Sequence, residues 1–259
     1  MEPVERFAEL VRMPEARLDL GEAALTIAAG GEPGLAVPRW LGELDRLAEG
    51  LDGLADLRRR LFDELGYTCN TDDYYDPSNS FLHRVIERRV GIPITLSVLV
   101  IEVGRRAGVE LEGVGMPGHF LLRLPGTDVY LDPFHGGELL DERGCEAHFR
   151  AVSGAHPQID FGSHLLPTAS IHEILSRMLA NLRGIYLRRG SAADLEWVLR
   201  MRLELPEVPS SEVGELGRVL AAQGKFLEGA VMLERRAPAH PHLSGTLRAT
   251  ARALRARLN

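Results

Sequence analysis

The sequence predicts an α+β fold, because helical periodicity dominates both ends of the chain while the stretch from Gly113 to Leu140 breaks into short β-forming segments bounded by glycine and proline. At the N-terminal end, helices are expected over Val4–Val11, Leu18–Ala29 and Trp40–Leu65, the last broken near Gly50 and Gly53. Leu41, Leu44, Leu47, Leu51, Leu54, Leu57 and Leu61 recur at intervals of three and four, which paints one face of that helix apolar. The run Gly30-Gly31-Glu32-Pro33-Gly34 reads as a connector.

Tyr67, Asn70, Asp72, Asp73, Tyr74, Tyr75, Asp76, Pro77 and Asn79 form a polar, aromatic loop rich in turn and cap formers. A helix follows over Phe81–Val90, with Gly91 as its stop, and Pro93 suits the first turn of a second helix that closes at Gly108. Strands are expected over 112–116, 119–124 and 128–132. A Gly-Thr-Asp turn makes the last two antiparallel, which places His119, at the start of one, near Asp132, at the end of the other. Helices return over Ile171–Arg189, Ala192–Leu205, Ser211–Gln223, Phe226–Arg236 and His242–Leu258. The run Leu220-Ala221-Ala222-Gln223-Gly224-Lys225-Phe226 leading to Ala230, with Pro238 closing the second helix, suggests helical hairpins of the tetratricopeptide sort. Three regions are expected: helical 1–65, a core at 66–165, and helical repeats at 166–259.

Composition narrows the function classes. With 259 residues, 45% apolar and 26% charged, the chain has the balance of a folded domain that needs no staple. Its net charge is -7 and Lys225 is its only lysine, the remaining cations being arginines scattered among acids, so no nucleic-acid footprint is expected. The start Met1-Glu2-Pro3-Val4-Glu5 lacks the pattern of a signal peptide, and no apolar run is long enough for a membrane span, so a cytoplasmic location is expected. Cys69 and Cys145 are two lone thiols outside any CxxC motif and are read as structural.

Four ordered motifs carry a resemblance: 75–82 (YDPSNSFL), 88–97 (RRVGIPITLS), 115–121 (GMPGHFL) and 132–137 (DPFHGG). Together they resemble a bacterial transglutaminase-like family that bears tetratricopeptide repeats at its C-terminus. The resemblance implies a papain-like core in which a cysteine opens the central helix, a histidine begins a strand and an acid ends the next. His119 and Asp132 match the last two. Counting back from Gly108 puts the cysteine position on Pro93, which has neither a side-chain heteroatom nor a backbone N–H to serve an oxyanion.

The functional expectation is therefore a non-catalytic transglutaminase-like protein that binds a peptide or protein partner through its cleft, its helical repeats or both, with Pro93, Ser97, Tyr75, Asn79 and His135 as candidate binding residues. The alternative is an amide hydrolase or acyl transferase with His119 as base, Asp132 as its orienter and Thr95 or Cys69 as a relocated nucleophile. A metal set of His119, Asp132 and His135 has irregular spacing and little specificity, so no metal or other cofactor is expected.

Overall fold

The computed structural model describes residues 2–153 and 160–258; residues 154–159 of the expected core range, and Met1 of the N-terminal reading, lie outside them. The helices are α1 (Pro3–Val11), α2 (Leu20–Gly31), α3 (Val37–Ala48), α4 (Gly53–Arg58), α5 (Leu82–Arg88), α6 (Pro93–Arg106), α7 (Glu142–Ser153), α8 (Ile171–Arg189), α9 (Ala192–Arg202), α10 (Ser211–Ala222), α11 (Phe226–Arg236) and α12 (Ser244–Arg255). The strands are β1 (Thr68–Cys69), β2 (Val90–Gly91), β3 (Glu112–Met116), β4 (His119–Arg123), β5 (Tyr130–Asp132), β6 (Glu138–Leu140) and β7 (Thr168–Ala169). The fold class is α+β, and the chain divides into two compact units, 13–178 and 1–12 with 179–259.

In the unit 13–178, β3 to β7 form an antiparallel sheet in the order β6-β5-β4-β3-β7. Period-two alternation puts Leu121, Tyr130 and Leu140 on one face, where they form a core with Val114, Met116, Leu166 and the α7 residues Cys145 and Phe149. Helix α6 is the buried spine of this unit, packed against α2, α3, α5 and β4. Pro93 sits at its first turn, where a missing N–H costs nothing. The backbone N–H of Ile92 donates to the Thr95 hydroxyl at 3.3 Å, closing the helix start.

Three local expectations change. Helix α2 runs through Gly31 instead of yielding a connector at Gly30, because Gly31 lies under the Phe81 ring and any side chain there would overlap it. Helix α5 stops at Arg89, which takes the left-handed conformation at φ 59°, and not at Gly91. Gly91 instead ends the two-residue strand β2, where its bare Cα accommodates Val85 and Leu96. β2 pairs in parallel with β1, with Thr68 opposite Val90 and Cys69 opposite Gly91. The polar loop thus contains a strand, and its end folds as a short 3-10 turn over Pro77–Ser80.

In the other unit, α9, α10, α11 and α12 pack each on the next, and α1 packs on α9. Arg202 and Glu212 are buried together and joined by two hydrogen bonds, Nε to Oε2 at 2.6 Å and Nη2 to Oε1 at 2.7 Å. Removing one member of such a pair strands the other's charge away from water. Glu212→Ala is expected to destabilise the protein by about 3 kcal/mol in chemical denaturation; a loss below about 1 kcal/mol would show that the buried Arg202 charge does not depend on Glu212.

Candidate functional site

The site is built around one buried carboxylate. Asp132, at the end of β5, is fully buried. Its Oδ1 accepts the backbone N–H groups of Phe134 at 2.9 Å and His135 at 3.4 Å, so the Asp-Pro turn fixes the carboxylate's orientation. Its Oδ2 meets three imidazoles: Nε2 of His119 at 2.8 Å, Nδ1 of His135 at 2.6 Å and Nδ1 of His148 at 3.1 Å. The turn is closed by the N–H of Gly137 on the Asp132 carbonyl at 2.9 Å. Gly137 has φ 72° and lies so close to the Phe62 ring that a Cβ would overlap it.

Strand alternation explains the convergence. His119 shares a face with Leu121, and Asp132 with Tyr130, which is the face that α7 covers. On α7, Cys145, His148 and Phe149 stand at i, i+3 and i+4, so the helical surface that carries Cys145 and Phe149 into the core also carries His148 to Asp132. His148 was not among the residues singled out from the sequence. The 145, 148, 149 spacing on a helix following the sheet is the signal that could have found it.

The electrostatics turn on the same carboxylate. Burial pushes the Asp132 carboxyl upward, but the hydrogen bonds and charges of His119 and His135 outweigh it and hold the pKa at about 2, below the ordinary 3.8. Burial and then the Asp132 charge push the Cys69 thiol up to about 11. Cys145, on α7, is pushed up to about 12 by burial and by Asp141 and Asp132.

Of the other residues singled out from the sequence, Thr95 is fully buried and its hydroxyl donates to the Asn79 carbonyl at 2.5 Å. Asn79, also fully buried, staples the polar loop: its Nδ2 donates to the carbonyls of Asp73 at 2.8 Å and Tyr74 at 3.3 Å, and its Oδ1 accepts from Asn70 at 3.1 Å. The Ser97 hydroxyl is buried without a hydrogen-bond partner among the described residues. Pro93 is half-buried, and Tyr75 is exposed beside Tyr74. The structure therefore gathers His119, Asp132, His135 and His148 at one point, while Thr95 and Asn79 form a separate scaffold. Among the described residues, no hydroxyl or thiol hydrogen-bonds the His119 ring. The donor atoms of the four gathered residues all lie within 4.8 Å of one another, a set able to hold a metal ion.

An antiparallel sheet carrying a His-Asp pair on adjacent strands, packed on a buried central helix, makes the unit 13–178 an α+β domain. The chain belongs to the transglutaminase-like superfamily, which it matches over residues 37–180. It is 46% identical over 136 residues to a UPF0162 protein of Xylella fastidiosa, covering 51% of this chain and 48% of that one. It is 35% identical over 182 residues to a UPF0162 protein of Pseudomonas aeruginosa, covering 66% of each. Mouse F-box only protein 21 is 35% identical over 155 residues, which are 56% of this chain and 23% of the mouse protein. The matched segment spans about half the length of the Xylella relative. No solved structure matches the chain. No helix among the described residues is long and apolar enough to cross a membrane.

The depressed Asp132 pKa fixes the sign of an acid effect. A carboxyl held below its unfolded value stabilises the fold fully above about pH 4 and loses that contribution as the pH falls through about 2. In chelator-treated protein the loss is expected to be about 2 kcal/mol. Denaturant titrations across that range should show it, and Asp132→Asn should abolish this part of the acid limb. An unchanged acid limb in Asp132→Asn would show that the carboxylate is not held by the imidazoles.

Proposed function

We propose that this protein is a non-catalytic member of its superfamily that holds a peptide or protein partner. The observation that carries the reading is the start of α6, where the resemblance to the superfamily calls for a nucleophile and the chain places Pro93. The neighbouring Thr95 hydroxyl is committed to the Asn79 carbonyl and to the helix start, so it is no substitute. Among the described residues, the His119 ring bonds Asp132 and no hydroxyl or thiol hydrogen-bonds it.

The helical unit supplies a surface for the partner. We read α9 to α12 as hairpins packed in the tetratricopeptide manner, supported by two close helix approaches: a Cβ on Gly217 would stand 2.9 Å from Leu233, and one on Gly229 would stand 3.0 Å from Leu254. Gly224, at φ 76°, makes the turn between α10 and α11. A groove of about 940 Å³ in this unit is lined by Phe226, Leu227, Val231 and Leu258, with Lys225 and Arg235 beside them. Leu227 and Leu258 are half exposed, at 52% and 50%, which leaves apolar surface for a peptide to cover.

A second reading rests on Cys69. β1 sets it opposite Gly91, just ahead of Pro93, and it feels the Asp132 charge, so it lies near the pair. A thiol with a pKa of about 11 is a thiolate in only about one molecule in 10⁴ at pH 7, which opposes nucleophilic use. The test is incubation with thiol- and hydroxyl-directed acylating probes, followed by peptide mapping, in the wild type and in a His119→Ala variant shown by circular dichroism to be folded. The expected result is no His119-dependent adduct on Thr95, Ser97 or Cys69. An adduct on any of them that vanishes in the variant would establish an acyl-transfer enzyme.

A further inference from the structure

We infer that His119, Asp132, His135 and His148 form a binding site for one divalent first-row transition-metal ion of the zinc type. The set has three imidazole nitrogens and one carboxylate oxygen, the donor chemistry that such an ion prefers, and four donors match its preferred coordination number. The four residues come from β4, the end of β5, the loop after it and α7, so a single ion there would join α7 to the sheet.

Hydrogen bonding alone accounts poorly for this convergence. A carboxylate oxygen offers two lone pairs, yet Asp132 Oδ2 faces three imidazole nitrogens within 3.1 Å, and Oδ1 is already taken by two backbone N–H groups. An ion with bonds of about 2.0–2.2 Å takes up donors about 3.3 Å apart, so modest outward rotations of the rings accommodate it. The surroundings suit the purpose. Oδ1 is anchored, which fixes the carboxylate, and Glu138 Oε2 stands 3.7 Å from Nε2 of His148, where an outer carboxylate steadies a metal-bound ring. His135 is the solvent-facing member, with a side chain 44% exposed, and gives an ion a way in. Four protein donors make a closed site, which serves structure or partner capture and needs no vacant position for substrate.

The site is tested independently of whether the protein is an enzyme. Untagged full-length protein is stripped with chelator and titrated with Co²⁺, following the visible bands of four-coordinate cobalt and their displacement by Zn²⁺, with bound zinc counted by elemental analysis. One equivalent per chain is expected, with a rise in Tm on zinc binding. His148→Ala and His135→Ala, neither of which belongs to the His119–Asp132 pair, are each expected to weaken binding at least about tenfold. Absence of saturable binding in the wild type would overturn the inference. So would stoichiometric binding of undiminished affinity in both variants, since the ion would then sit elsewhere.

Discussion

A carboxylate with no solvent contact is sustained only by what donates to it, and in this fold Asp132 is that carboxylate. Two backbone N–H groups hold one of its oxygens and three imidazoles face the other. The end of β5, the start of β4, the turn that follows and the inner face of α7 are therefore tied to one charge. The tight turn through Gly137, pressed against Phe62, and the packing of Cys145 and Phe149 on the sheet keep those elements in register around it.

The same constraint separates the two roles that the residues of such a core can take. A nucleophilic mechanism needs an imidazole poised between an acid and a thiol or hydroxyl. Here the acid is shared among three imidazoles, the helix start carries Pro93, and Thr95 is absorbed into the scaffold by Asn79. Burial and the Asp132 charge both raise the Cys69 thiol, the reverse of what activation requires. On the reading proposed above, the superfamily fold holds ligand groups around Asp132 in place of a nucleophile, and the helical unit contributes an apolar groove of its own.

Much of this was legible in the sequence wherever it depended on local rules. Period-two strands and a Gly-Thr-Asp turn are enough to bring His119 to Asp132, and Pro93 marks a helix start by its fixed φ and missing N–H. What escaped depended on packing between distant segments. Gly31 looked like a loop residue because its reason for being glycine is the ring of Phe81, fifty residues on. β1, β2 and β7 are two-residue strands, too short to show a period. His148 lies 16 residues beyond Asp132 on a helix, and only the docking of α7 on the sheet shows which of its faces is occupied.

The most direct measurement is long-range ¹H–¹⁵N NMR of the histidine rings in metal-free protein, comparing the wild type with Asp132→Asn at one pH. If Asp132 organises the cluster, the ring signals of His119, His135 and His148 all move together in the variant. Movement of the His119 ring alone would contradict a shared carboxylate and return the site to a simple histidine–aspartate pair.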